Sequence, residues 1–470
     1  MANTRSYSIP LIGLTLLLCS GCSKAFLNKT PPNSTPLDQA LKTAVELSQA
    51  LNGAYAALQN TGVFGADFLI AGDVQADNVF EAINNGAFVP QYTYTVAVND
   101  PIPDAMWANA YTGILRANQI IDASINTAST DSIKSQAYAI RALLYFKLVN
   151  IFATPYTTDP SALGVPLVLS YNPDALPTRN TVGQVYSQIV NDLQTALKSA
   201  PTYVNSVLLS RYAIEALLAK VYLYEGDKIN AKAAAVDVIN AGVFKLASPA
   251  NYNAFWRNSS IQTDSMEVLF EVDVDQPYAG GSFGIGGYYV NGSQELYATS
   301  QLYDLYNATD IRRTLLTPGL TPGNQSAWIV NKFPNTQNPD PDNLKVIRLA
   351  EVYLIAAESS LPADEPDALL YVNTLMANRD PGFIPYSSTG PQLLDDIVSE
   401  RRKELAFEGD RLYDLNRLQL PINRVANPGA IPLAAGHLSI PYPDYRRIAP
   451  IPQEEINANP NIASQQNPGY

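Results

Sequence analysis

The sequence predicts a mainly α-helical protein: a degenerate tetratricopeptide-like helical repeat scaffold with long irregular loops and a few short strands. Three observations predict this fold class. Several segments place apolar residues at steps of three and four, which gives a helix one apolar stripe. Two helix pairs resemble each other, and in both small residues alternate with Tyr and Leu, as nesting of one pair into the next requires. Long stretches rich in Gly, Asn, Pro and Tyr interrupt the helical pattern.

Residues 1–21 have the pattern of a bacterial lipoprotein signal peptide. The apolar run at 11–18 is too short to cross a hydrocarbon core about 30 Å thick as a helix, and two small residues precede Cys22. We therefore predict cleavage before Cys22, lipidation of this residue and a tether over residues 22–36. An ordinary signal peptide with an incidental cysteine is the alternative.

Residues 37–470 are predicted to form the body domain. Its helical scaffold covers about 37–60, 106–246 and 344–420. Over residues 131–153 the apolar residues keep to one helix face. Thr181 and Gln184 have the spacing of a capping box, in which each side chain satisfies a backbone donor of the other residue, so a helix is predicted to begin there. The two similar helix pairs turn at 226–227 and at 362–364.

Three irregular regions are predicted to face a ligand or a partner. They are residues 62–105, 247–343 and 421–470. Strand-like patches occur in the first two, at 92–96 and 267–274. A loop as long as the first region is usually functional inside a compact domain. The third region is Pro-rich and is predicted to wrap the surface of the scaffold.

Composition excludes several classes of function. The formal net charge is −13, and such a surface repels nucleic acid, so no nucleic-acid partner is predicted. Cys19 lies in the predicted signal peptide, Cys22 is the predicted lipidation site and His437 is the single histidine, which removes the usual metal ligands and nucleophiles. The oxygen-rich run at 338–343 lacks the glycine and the terminal glutamate of a calcium loop and predicts a solvated turn. No cofactor or metal is predicted.

Tyrosine is unusually common, with 28 copies against 14 Phe and 3 Trp, and its ring joins an apolar face to a polar tip. The first irregular region interleaves aromatic rings with short amides, which suits the flat faces and hydroxyl groups of sugars or the backbone of peptides. The alternative is that the rings seal the loops onto the scaffold. The predicted ligand-binding residues are Phe80, Asn84, Asn85, Phe88, Tyr92, Tyr94, Tyr288 and Tyr289.

Glu400, Glu404 and Glu408 follow one another at four-residue steps, so on a helix they would share one face and repel one another unless cations intervene. We predict a structural ion network that locks the end of this helix. Its predicted members are Arg348, Glu400, Arg401, Glu404, Glu408 and Arg411. The alternative makes two of these carboxylates the acid and base of a glycoside hydrolase.

Seven segments in a fixed order carry a resemblance to a known family. They are the Cys22 tether with Phe26-Leu27; Trp107, Tyr111, Ala117 and Asn118; residues 141–146; residues 164–168; residues 348–358; residues 400–411; and residues 466–470. With these segments the chain resembles the SusD/RagB-type outer-membrane lipoproteins of the Bacteroidetes over nearly all of its mature length. The resemblance implies four tetratricopeptide-like units, a lipid anchor in the outer membrane with the body facing the cell surface, and a bound nutrient. That nutrient is usually a glycan and in some relatives a peptide.

The resemblance also implies a SusC-like TonB-dependent barrel transporter as partner, and it favours the structural interpretation of residues 400–411. We therefore predict a non-catalytic lipoprotein that captures oligosaccharide or peptide and delivers it to that transporter. One alternative is a secreted helical-repeat hydrolase that acts through carboxylates. The other is a helical-repeat scaffold that only holds other proteins.

Overall fold

The computed structural model describes residues 41–274, 284–336 and 341–470. The helices are α1 (Ala44–Leu58), α2 (Asp67–Val74), α3 (Val89–Thr93), α4 (Pro101–Ile121), α5 (Ala128–Phe152), α6 (Val182–Leu197), α7 (Arg211–Glu225), α8 (Lys228–Asn240), α9 (Tyr252–Arg257), α10 (Ile285–Tyr289), α11 (Ser300–Tyr303), α12 (Leu349–Ser360), α13 (Glu365–Ala377), α14 (Gly390–Glu404), α15 (Arg411–Arg417) and α16 (Gln453–Ala458). The strands are β1 (Val79–Glu81), β2 (Val268–Val272), β3 (Leu296–Ala298), β4 (Leu316–Leu320), β5 (Ser326–Val330), β6 (Leu344–Arg348), β7 (Ile422–Asn423) and β8 (Ser439–Ile440). The predicted signal peptide, lipidation site and tether, and residues 338–340 of the oxygen-rich run, lie outside the described residues.

Within the described ranges, eight helices stack in chain order and confirm the predicted helical scaffold. Helix α1 packs on α4, α4 on α5, α5 on α6, α6 on α7, α7 on α8, α8 on α12 and α12 on α13. The stack therefore continues directly from α8 to α12, and the chain between them is an insertion. In the same ranges, no helix combines the length and the apolar character that a membrane span needs.

Local sequence signals explain where these helices begin and end. The predicted capping box of α6 is confirmed: Gln184 N donates to Thr181 Oγ1 at 3.2 Å, and Thr181 N donates to Gln184 Oε1 at 2.9 Å. Helix α7 ends at Gly226, whose φ of 82° is left-handed, and Asp227 N donates back to Tyr222 O at 2.9 Å. This C-terminal cap turns the chain tightly into α8.

Antiparallel sheets in the described residues share the apolar core with the helices. One sheet has the strand order β1-β3-β5-β4, and the others pair β2 with β6 and β7 with β8. Strand β2 lies within the strand predicted at 267–274, and all five of its residues are buried. Strand β6 runs directly into α12, so the insertion returns to the helical stack through this pair of strands.

The strand predicted at 92–96 and the helix start predicted near residue 106 are both wrong. The region 62–105 contains α2, β1, α3 and the start of α4, and the predicted strand at 92–96 overlaps α3. A proline in the first turn of α3 favours helix, and the helix buries Tyr92, so packing overrides the β propensity of the Tyr-Thr run. Helix α4 begins at Pro101 instead of about 106, because Asp100 Oδ1 accepts from Ile102 N at 2.9 Å and caps the helix.

The C-terminal segment, residues 421–470, runs against the end of α5. Ala449 N donates to Ile151 O at 2.8 Å, and Asn467 Nδ2 donates to Phe152 O at 2.8 Å. The segment thereby satisfies carbonyl groups that the last turn of a helix leaves without partners.

Candidate functional site

The structure buries the aromatic part of the predicted ligand site. All six rings are at most 5% exposed, so no ligand can stack on them in this conformation. The six buried rings are Phe80, Phe88, Tyr92, Tyr94, Tyr288 and Tyr289. They pack on the protein itself: the rings of Phe88 and Tyr288 meet edge to face with centroids 5.1 Å apart, and Phe80 stacks on Tyr297 at 5.6 Å. These rings seal the loops onto the scaffold.

Arg424 of the C-terminal segment explains the burial of Tyr92 and Tyr94. Its guanidinium carbon lies 4.8 and 4.5 Å from the two ring centroids. Its N–H groups also donate to the carbonyl oxygens of Val74, Ala76 and Tyr92. A residue more than three hundred positions away thus fixes this loop, and no local pattern in residues 62–105 could predict the contact.

The two asparagines of the predicted site, unlike its rings, are exposed to solvent. Asn84 and Asn85 are exposed on the turn that follows β1. Their side chains are free of the packing that buries the rings, and they stay predicted ligand contacts.

A different aromatic surface is open to solvent. We call Tyr303, Arg313 and Trp328 the aromatic platform. The rings of Tyr303 and Trp328 stack with centroids 3.5 Å apart and planes inclined by 12°, and the Arg313 guanidinium carbon lies 4.4 Å from the centroid of Tyr303. All three side chains are half-buried, whereas Trp107 and Trp256 are buried. The platform is therefore a partly exposed stack of two rings with a guanidinium group over one of them.

Strand pairing and a helix cap position the platform. Trp328 of β5 lies opposite Ala298 of β3 and Pro318 of β4, so its neighbours on that sheet face are small and apolar. Tyr303 ends α11, and Thr299 caps the start of this helix: Leu302 N donates to Thr299 Oγ1 at 3.2 Å. The rarity of tryptophan in the sequence was the signal that could have drawn attention to position 328.

Two family models match the chain. One, described as starch-binding associating with outer membrane, matches residues 25–223, and the other, described as the SusD family, matches residues 320–470. The solved structure of a SusD superfamily protein from Bacteroides thetaiotaomicron is 31% identical in sequence, with a TM-score of 0.82. The likeness covers 91% of this chain and 100% of that chain. The chain belongs to the SusD/RagB family.

Other relatives of this SusD/RagB family chain extend over similar lengths. A putative sugar binding protein from Bacteroides vulgatus is 28% identical with a TM-score of 0.84, and the likeness covers 92% of this chain and 99% of that chain. A SusD-like protein from Formosa agariphila is 28% identical over 99% of this chain and 100% of its own length. The two solved structures share the helical scaffold described above.

An acidic pair lies beneath the exposed turn of Asn84 and Asn85 in this SusD/RagB chain. Glu81 and Glu295 are both buried, and a side chain added at Gly86 would lie 2.6 Å from an Oε2 atom of each. Ile83 N donates to Glu81 Oε1 at 2.9 Å, whereas Glu81 Oε2 has no hydrogen-bond partner among the described residues. Burial raises the pKa of Glu81 to about 8; the Ile83 hydrogen bond opposes this rise and the Glu295 carboxylate adds to it.

Glu81→Gln is expected to stabilise the protein at alkaline pH. The folded state keeps the Glu81 proton up to about pH 8, whereas the unfolded chain releases it near the ordinary value of 4.5, so the stability of the parent falls between these values as pH rises. Glutamine has no proton to lose. The midpoint of thermal unfolding should rise by about 2–4 °C at pH 8.5 and change little at pH 5. The exposed Glu454→Gln is the control, and a gain independent of pH would contradict the expectation.

The glutamates at four-residue steps lie in a buried ion network, which we call the central ion network. Its carboxylates are Glu267, Asp310, Glu400, Glu404 and Glu408. Its basic groups are Arg312, Lys332, Arg348, Arg379 and Lys403. Five negative charges thus face five positive charges, and every member is less than 9% exposed. This balance is what allows so many charges to leave water together.

The structure brings only one of the predicted arginines to these glutamates. Arg348 Nη1 lies 2.9 Å from Glu404, and its Nη2 lies 2.5 Å from Glu408. Arg401 instead pairs with Glu351 at 2.7 Å and with Asp414 at 2.8 Å, and Arg411 pairs with Asp77 at 2.7 Å.

One helix also does not carry all three glutamates, because α14 ends at Glu404 and Phe407 has a left-handed φ of 69°. The partners that the sequence analysis missed come from distant segments: Arg312 follows α11, and Arg379 follows α13.

Among the described residues, no group of three His, Cys, Asp or Glu side chains could hold a metal ion. Of the oxygen-rich run, Asp342 accepts hydrogen bonds from Asn335 N at 2.7 Å and Asn335 Nδ2 at 2.8 Å. Asn343 Oδ1 accepts from Val274 N at 3.1 Å. Asp342 therefore binds the segment that ends at residue 336, and Asn343 binds the segment that ends at residue 274.

Proposed function

We propose that this protein is a non-catalytic glycan-binding lipoprotein of the outer membrane, which delivers oligosaccharide to a SusC-like TonB-dependent barrel transporter. The observation that carries the proposal is the aromatic platform: a half-buried tryptophan stacked on a tyrosine and flanked by a guanidinium group. Membership of a family whose matching model is described as starch-binding supports glycan as the ligand class.

The platform has the chemistry that a sugar needs. The apolar face of a sugar ring packs on an aromatic ring, while its hydroxyl groups need hydrogen-bond partners at the edge of that contact. Arg313 supplies donors beside the ring pair. Asn84 and Asn85, on the turn after β1, stay predicted ligand contacts outside the platform.

The anchor and the partner follow from the leader and the family. Lipidation at Cys22 would hold the body at the membrane through acyl chains, and residues 22–36 would tether the 37–470 domain at the cell surface. A glycan held between this domain and a barrel needs only modest affinity for each, because the second contact forms within one assembly.

Burial of the central ion network argues against a hydrolase that uses two of Glu400, Glu404 and Glu408 as its acid and base. Glu400 and Glu404 are fully buried, and each carboxylate contacts a guanidinium group at 2.8 to 3.2 Å. An acid–base pair must flank a glycosidic bond, and a substrate cannot reach these two groups in this conformation.

Trp328→Ala is expected to weaken glycan binding at least tenfold, about 1.4 kcal/mol, because truncating an aromatic anchor removes its whole contact face. A panel of neutral oligosaccharides and peptides should be screened by calorimetry, and the best ligand titrated into parent and variant. Trp328→Phe keeps a ring on Tyr303 and should retain part of the affinity.

Tyr171→Ala is the control for loss of a half-buried ring elsewhere and should bind like the parent. Unchanged glycan affinity in Trp328→Ala would remove the platform from the proposal. Binding of peptides with no binding of glycans, or release of cleaved product, would overturn the proposed function.

A further inference from the structure

A cavity lies where the C-terminal segment meets the chain just after α5. We call it the C-terminal pocket. It encloses about 270 Å³, and Thr158, Asn416, Tyr442, Asp444, Tyr445 and Arg447 are among its lining residues. Tyr445 is 47% exposed; its ring meets the Tyr470 ring edge to face at 5.4 Å, and Gly469 lies against it. The pocket therefore combines an accessible ring with polar groups, and it is built from residues far in sequence from the aromatic platform.

Arg447 is the unusual member of this pocket. It is only 2% exposed, its Nε donates to Asn416 Oδ1 at 2.8 Å, and its Nη1 donates to Pro441 O at 3.2 Å. Its Nη2 has no hydrogen-bond partner among the described residues. Among the residues that the structure describes, no carboxylate lies within ion-pair distance of the Arg447 guanidinium group. A buried charged donor without an acceptor is costly, so this nitrogen needs an acceptor from outside.

Among the described residues, no neighbouring carboxylate forms a direct ion pair with Arg447. Asp444 also lines the pocket, but its two oxygens accept from Arg446 Nε at 2.9 Å and Arg446 Nη2 at 2.6 Å. Asp444 therefore pairs directly with Arg446, and it interacts with the positively charged Arg447 only without direct contact. This local charge contrasts with the net charge of −13 of the chain.

The remaining lining groups suit a saccharide better than a bare ion. The guanidinium carbon of Arg447 lies 4.9 Å from the Tyr442 ring centroid, which holds the arginine in place. The exposed face of Tyr445 can receive an apolar sugar face, and the Thr158 hydroxyl, which is hydrogen-bonded to the Tyr442 hydroxyl, lies at the same wall. Charge-assisted hydrogen bonds from arginine to an anionic oxygen are among the strongest polar contacts in proteins.

We propose that the C-terminal pocket binds an acidic sugar residue, with Arg447 Nη2 donating to an anionic oxygen of its carboxylate or sulfate group and Tyr445 stacking on its ring. This inference rests on the proposed function, since it assigns acidic glycans to the same binding protein. Bound here, an acidic residue would be held at a site separate from the aromatic platform.

Monosaccharide probes test the pocket apart from the platform. Glucuronate, galacturonate and glucose 6-sulfate are titrated by NMR or calorimetry into parent, Arg447→Gln, Tyr445→Ala and Trp328→Ala, with glucose and acetate as neutral and non-sugar probes. The parent should bind at least one acidic sugar at least tenfold more tightly than glucose or acetate. Arg447→Gln and Tyr445→Ala should lose this preference, and Trp328→Ala should keep it. The uronate and sulfate arms distinguish the two sources of the anionic oxygen.

Arg447 is buried, so its substitution can affect folding; Tyr445→Ala removes an exposed ring and keeps the test independent of stability. Equal binding of glucose and the acidic sugars by the parent would overturn the inference, as would equal binding of acetate or an unchanged preference in both pocket variants. Such a result leaves the proposed function standing if neutral oligosaccharides still bind and Trp328→Ala weakens that binding at least tenfold.

Discussion

Glu404→Gln is expected to lower the free energy of unfolding by about 3–5 kcal/mol, because removing one partner of a buried ion pair leaves the opposite charge uncompensated. The Glu404 carboxylate lies 2.9 Å from Arg348, 2.9 Å from Arg379 and 3.2 Å from Arg312. Glutamine keeps the shape and one acceptor oxygen, but five basic groups then face four carboxylates. Urea unfolding followed by circular dichroism measures the loss.

Asp367→Asn is the matched control, since it makes the same chemical change in a part-exposed pair 2.7 Å from Lys232. Such a pair contributes less than about 1 kcal/mol. Burial opposes ionisation of Glu404, but the three guanidinium groups hold its pKa well below the usual range. Its contribution is therefore present above the unfolded pKa near 4.5 and is lost as pH falls, so parent and variant should converge in acid. Equal losses in the two variants at neutral pH would contradict this account.

The sequence could predict that charges cluster at residues 400–411, but of the arginines it proposed as partners only Arg348 contacts these glutamates. The four-residue spacing of the glutamates forces like charges together and therefore requires cations. Which basic side chains pair with these glutamates depends on where β6, α13 and the segment after α11 meet in the fold. Arg379 and Arg312 come from such distant segments, and their positions have no local signal in the chain.

The fold was predicted more completely than the candidate site, and the reason is physical. Helices can be predicted from local apolar periodicity and from capping residues, as at Thr181 and Gln184. Whether an aromatic ring faces solvent or the core depends on distant contacts: Tyr92 is covered by Arg424, whereas Trp328 stays half-exposed on a small sheet. Asn84 and Asn85 are exposed because they occupy a turn, where short polar side chains are common.

A close crossing of two backbones next to the central ion network gives the second large expected effect. Gly72 of α2 and Gly409 face each other, and Gly409 N donates to Asp73 Oδ2 at 2.8 Å. A Cβ on Gly409 would lie 2.6 Å from Leu69 Cα and 2.9 Å from Leu69 O, closer than such atoms can approach. The φ of Gly409 is 81°, a left-handed conformation that disfavours a side chain.

Gly409→Ala is therefore expected to lower the free energy of unfolding by about 2–5 kcal/mol, the sum of about 1–2 kcal/mol for the left-handed backbone and about 1–3 kcal/mol for overpacking. Gly436→Ala is the matched control, because its φ is 83° and an added Cβ would meet nothing within 4 Å, so only the backbone cost remains. Gly72→Ala tests the crossing from the other side: alanine favours helix, so any loss there reports the contact with Gly409. If Gly409→Ala and Gly436→Ala lost the same free energy in urea unfolding, the crossing would contribute nothing, and the end of the ion network would be held by its charges alone.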